Sequence, residues 1–187
     1  LVSHFFYIYD AVSSPLELLL GTKSRRLYSA EQLFLHVAQA CESFHRRVIG
    51  GTEDIPEEHQ KRIAEILETC PEACRKWLKS KLEFSNEISF RSRIRYICEC
   101  QPELMTILPY PKDTFIHNVV IYRNYLTHFT DQLRRKIDPN IDLYYLARDL
   151  RTLLEALVLK WLGVSNEVIL AKYSDILKNT NRKSISL

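Results

Sequence analysis

The sequence predicts an all-α protein, and three observations carry that reading. Apolar residues recur at spacings of three and four through most of the 187 residues. The four glycines, Gly21, Gly50, Gly51 and Gly163, fall between those stretches, where helix C-caps belong. Pro56 and Pro71 can each occupy the first turn of a helix, while Pro102, Pro109, Pro111 and Pro139 sit in connections. No hairpin dipeptide or strand alternation competes with this pattern. With 46% hydrophobic and 26% charged residues the composition excludes a disordered chain. No run of about 18 apolar residues is present, which excludes a membrane-spanning helix. One domain spanning 1–187 is expected, large enough to bury roughly 70% of the surface of its unfolded chain.

The first helix covers 2–20, broken or kinked at Pro15 after Ser13 and Ser14. The second covers 29–49. Ser29 caps it, with Gln32 three residues on, and Leu33, Val37, Ala40, Phe44 and Val48 form its buried face. Shorter helices follow at 56–69, 71–82 and 87–100. Residues 101–112 carry three prolines and read as a connector, so 50–112 forms a helical insertion of short elements in the middle of the chain. Helices at 113–136, 141–162 and 165–178 complete a bundle, and the polar tail beyond 178 is expected to fray. Trp77 and Trp161 lie on amphipathic helices and read as core. No internal repeat is present.

A net charge of +3 permits contact with nucleic acid without requiring it. The basic residues cluster at Arg25 and Arg26, at Arg46 and Arg47, at Arg91, Arg93 and Arg95, and at Arg134 to Lys136. Each cluster fits either a phosphate contact or a solvated helix face. Five cysteines, an odd and sparse set, indicate reduced thiols and a cytoplasmic setting rather than a disulfide scaffold. Cys70, Cys74, Cys98 and Cys100 could form a four-thiolate zinc site, but their spacing follows no CxxC pattern, and half-buried thiols are the better reading. No metal or other cofactor is expected. The chain opens on Leu1 without a basic-then-apolar leader and reads as the C-terminal part of a longer protein.

The 113–136 helix carries the chemistry. Phe115, Val119, Tyr122, Leu126, Phe129 and Leu133 form its core stripe. Asn124 and His128 lie about 40° apart on the opposite face, and Arg123 points out at the flank. Val120 and Ile121 sit beside Asn124. Apolar, β-branched residues around a polar face call for a cover, and a second copy of the chain would supply it, with His117 as a polar interface contact. An imidazole titrating near neutrality can take a 2′-hydroxyl proton or protonate a leaving 5′-oxygen, while a guanidinium steadies the charge that builds on phosphorus. That chemistry cleaves RNA without a metal and leaves a 2′,3′-cyclic phosphate. Asn124 could orient the imidazole or the substrate sugar. Spacing alone fits equally a surface ion-pairing arginine beside a helical histidine. Glu42 and His45, one turn apart, could support the cleft from behind or form a plain surface pair. Tyr125 could stack a base or simply pack.

The stretch VVIYRNYLTHF resembles the signature helix of the HEPN superfamily, in which an arginine and a polar residue, often asparagine, precede a histidine by a short spacer. Arg123, Asn124 and His128 fill those three places. The helix from Leu33 to Arg47 is similar to the corresponding helix of the Apea-like HEPN branch, with Glu42, His45 and Arg46 in its glutamate and His-Arg positions. IDLYYLARDLRTLLEALVLKWLGV resembles the closing helices of that branch, whereas 50–112 matches no known part of it. The resemblance implies a HEPN-type helical bundle in which motif helices pair across a homodimer and line one composite cleft. It also implies a metal-independent ribonuclease acting on RNA, transfer RNA included, in a toxin or anti-phage defence setting, with an N-terminal domain ahead of the module. A non-catalytic HEPN module that dimerises and binds nucleotide or a partner protein is the competing expectation. So is a toxin subunit silenced by an adjacent antitoxin.

Overall fold

The computed structural model describes residues 2–22 and 29–178, with side chains from Tyr9 onward. The Arg25 and Arg26 pair and the tail expected to fray lie outside the described residues. Helices α1 (Val2–Gly21), α2 (Ala30–Phe44), α3 (Pro56–Thr69), α4 (Glu72–Leu82), α5 (Phe90–Glu99), α6 (Pro102–Met105), α7 (Lys112–His128), α8 (Asp131–Arg134), α9 (Leu143–Trp161) and α10 (Asn166–Lys178) follow in order. There is no strand among the described residues, and no described helix is long and apolar enough to cross a membrane.

The chain divides into two compact units, one of residues 1–48 with 90–187 and one of residues 49–89. In the larger unit α2 is the central element, packed against α1, α5, α7 and α9. Its start is fixed by a full capping box. Ser29 Oγ accepts from the Gln32 backbone N–H, and the Gln32 side chain accepts from the Ser29 N–H. Leu33, Phe34, Val37, Ala38, Ala40, Cys41 and Phe44 are buried, so this face is wider than the one the periodicity marks. Past Phe44 the helix loosens into a π-turn, His45–Ile49, and Val48 is only half-buried. α1 runs unbroken through Pro15, which is buried together with Val12 and Leu19.

α9 is longer than α2 and buries more of its residues. Leu146, Ala147, Leu150, Leu153 and Leu154 are fully enclosed, each leucine contributing about 1.5–3 kcal/mol of transfer free energy. Asp142 caps its start through the N–H groups of Tyr144 and Tyr145. Its end is a Schellman motif: Val164 N–H donates to Leu159 O and Gly163 N–H to Lys160 O, with Gly163 at φ 85°. α10 lies against α9 and α6 through Ile169, Tyr173 and Leu177, and Tyr173 Oη donates to Glu155 at 3.0 Å. The expected connector at 101–112 contains the short α6, with Leu104 and Met105 buried.

The smaller unit is an α3–α4 hairpin whose ends are tied by Asp54 and Asn86. The Asp54 N–H donates to Asn86 Oδ1 at 2.8 Å, and Asn86 Nδ2 returns a bond to Asp54 O at 3.2 Å. Arg75 Nε, from α4, donates to the Leu67 carbonyl at the end of α3. Neither helix has a buried side chain. Trp77, expected in a core, is 62% exposed, because the hairpin offers it no partner surface. The inserted stretch expected at 50–112 thus extends past the compact unit, since Ile94, Ile97 and Leu104 belong to the core of the larger one.

Candidate active site

α7 starts after Pro111 and rests on α2 and α5. It ends at His128, eight residues short of the expected boundary. Phe129 adopts the left-handed conformation (φ 49°, ψ 37°) and donates its N–H to Tyr125 O at 2.7 Å, after which Thr130 caps the short α8. The expected core stripe therefore stops at Leu126. Phe129 is 68% exposed and Leu133 only half-buried.

The solvent side of α7 shows His117 and His128 exposed, with Val120 and Asn124 half-buried between them. Ile121, expected on this face, is instead buried at 8% exposure, because packing covers its flank of the helix. The apolar rim expected around Asn124 is therefore Val120 alone. Tyr125 is half-buried, its ring 5.4 Å from that of Phe129.

Arg123 turns away from His128 and toward α2. Its Nη2 donates to Glu42 Oε2 at 3.4 Å and its Nη1 to Asn124 Oδ1 at 3.3 Å. Its Cζ stands 5.1 Å from the centroid of the Phe90 ring, at the start of α5. The other Glu42 oxygen accepts from Arg46 Nη2 at 3.3 Å. Both side chains of the Arg123–Glu42 pair keep about a third of their surface in water, at 32% and 28%. Such a pair is worth at most about 1 kcal/mol. Its effect is to fix direction: two guanidinium groups share the Glu42 carboxylate, so the three side chains together carry net +1. Asn124, expected to serve the imidazole or the substrate, accepts from Arg123 through its Oδ1.

His45 does not join this group. It is 3% exposed, at the first residue of the π-turn, and its Nδ1 accepts from Arg93 Nη1 at 3.1 Å. Its ring meets Tyr96 edge-on at 5.0 Å. Burial first, and then the Arg93 charge, push the His45 pKa down. The helical repeat separates Glu42 and His45 by three residues, enough to place one toward α7 and the other inside. Phe90 carries no mark in the sequence, since an aromatic at a helix start reads as packing. The arginine-rich run after it, FRSRIRY, is the one hint that this element lies among cations.

Cys41 and Cys98 are enclosed in the core, where burial pushes both thiols up, Cys98 to about 12. Cys70 is half-buried and Cys74 exposed. No group of three or more His, Cys, Asp or Glu side chains among the described residues is placed to hold a metal ion.

No curated protein and no solved structure matches this chain. The model of the Apea-like HEPN family matches residues 35–168, a span that takes in Glu42, Phe90, Arg123, Asn124 and His128. Most of the chain is covered by that match, and the helical architecture agrees with it: the chain belongs to the Apea-like HEPN family.

Proposed function

We propose that this protein is a metal-independent endoribonuclease whose working site is formed by Arg123, Asn124 and His128 from two copies of the chain. The observation that carries the reading is the arrangement on α7. An exposed imidazole at the helix end accompanies a half-exposed guanidinium already held in one direction by Glu42 and Asn124. His128 serves as the proton-transfer group. The 2′-oxygen attacks the adjacent phosphorus, its proton passes to an imidazole, the bond to the 5′-oxygen breaks, and that oxygen receives a proton from an imidazolium. Arg123 donates to the non-bridging oxygens as their charge rises. The products are a 2′,3′-cyclic phosphate and a 5′-hydroxyl. Arg46, on the same carboxylate, adds a second cation for the RNA backbone. His117 and Val120 are the interface contacts, and a toxin or defence role with transfer RNA as one candidate substrate is the setting.

The test is cleavage of a labelled RNA by purified protein in EDTA. Cyclic-phosphate ends are expected with the wild type, and His128→Ala and Arg123→Ala should each lower the rate by at least about 100-fold. Cleavage by both variants at the wild-type rate rejects the site. An inert wild type favours the alternative of a module that binds nucleotide or a partner protein.

A further inference from the structure

We propose that Phe90 is a positioning residue for Arg123, a ring shelf that sets the direction from which the guanidinium meets an RNA phosphate. The inference deepens the ribonuclease reading and rests on it. The Arg123 Cζ lies 5.1 Å from the Phe90 centroid, inside the range of about 6 Å over which a ring face attracts a cation. Glu42 holds one terminal nitrogen and Asn124 the other. With one face covered and both terminal nitrogens anchored, the opposite face and the remaining N–H donors are left for an incoming anion. Arginine has a long stem with much rotamer freedom to lose. A guanidinium oriented before substrate arrives avoids that loss in the transition state.

The choice of an aromatic is itself informative. Arg46, Arg123 and Glu42 together carry net +1. A second carboxylate in place of Phe90 would hold Arg123 as well but cancel that charge and weaken phosphate attraction. A ring face holds the cation and leaves its charge in place. Phe90 is itself half-buried, so filling the core is not its main service, and its backbone is carried by a helix anchored through Ile94 and Ile97.

Phe90→Leu keeps apolar bulk and removes the ring face, while Phe90→Tyr keeps the face. Steady-state RNA cleavage should show kcat down roughly five- to tenfold for Phe90→Leu, with KM within about twofold, and near-wild-type kcat for Phe90→Tyr. Wild-type kcat in Phe90→Leu, or equal impairment of both variants, overturns the proposal. If Phe90→Leu does not fold, Phe90→Met takes its place in the same comparison. Side-chain NMR supplies a readout that needs no catalysis. The Arg123 guanidinium N–H signals should be separated by slow rotation in the wild type and in Phe90→Tyr, and should merge in Phe90→Leu. Unchanged signals in Phe90→Leu overturn the shelf. A wild type that cleaves no RNA rejects the ribonuclease reading alone, and the NMR comparison then decides the role of Phe90.

Discussion

Arg93 can only donate hydrogen bonds, so the bond it makes to His45 Nδ1 requires that nitrogen to be bare and places the imidazole proton on Nε2. The folded protein therefore holds His45 neutral, with its pKa lowered by burial and by the Arg93 charge. The consequence for stability has a definite sign. Above about pH 6.5 the side chain is neutral in both states and has no effect on the balance. Below that value the unfolded chain binds a proton that the folded chain refuses, so stability falls as pH drops through the unfolded pKa. Urea midpoints of the wild type should decline between pH 7 and pH 5, with a shallower decline for His45→Gln. Parallel declines would contradict the assignment. At this scale Arg123, Asn124 and His128 were marked in the sequence as candidates by the family resemblance, since their spacing alone fits a plain surface pair as well. The direction of Arg123 was not, because its partner Glu42 is 81 positions away and reaches it only after α2 and α7 have packed.

Apolar periodicity carried the expected motif helix to residue 136, since Phe129 and Leu133 continue the stripe. The helix nevertheless stops at His128. Thr130 Oγ1 accepts from the Leu133 N–H and opens a new helix, and Thr130-Asp131 is a capping signal that the stripe outweighed. The turn between them places a phenylalanine in the left-handed region, where a residue other than glycine costs about 1 kcal/mol. Its ring is 68% exposed and gives little burial in return, beyond one edge contact with Tyr125. Phe129→Gly is therefore expected to raise stability by about 0.5–1 kcal/mol, read as a higher urea midpoint. A lower midpoint would mean that the aromatic contact outweighs the backbone strain. The caps of α2 and α9, by contrast, were placed where Ser29 and Gly163 announce them.

For the whole molecule, composition and periodicity were sufficient for the all-α class and for the larger unit, whose helices carry clear core stripes. The sequence marked a middle insertion at 50–112, but not the narrower unit of residues 49–89. α3 and α4 have amphipathic patterns like their neighbours, and only the absence of a surface to receive Trp77 sets them apart. Burial decides which α7 residue can test the proposed dimer. Ile121→Asp places a charge in the protein's own interior and should unfold it. Val120→Asp, on the half-buried solvent side of α7, should leave the circular dichroism spectrum intact while light scattering shows the mass of one chain. A dimeric Val120→Asp protein would argue against pairing through this face. Because α3 and α4 bury no side chain fully, replacing their exposed residues carries little packing penalty, and this hairpin is where a dye is best attached. Cys74 already stands exposed there, Cys70 and Cys100 are half-buried, and Cys41 and Cys98 are enclosed in the core, so a maleimide reaches Cys74 first and, once Cys70 and Cys100 are replaced, marks the hairpin alone.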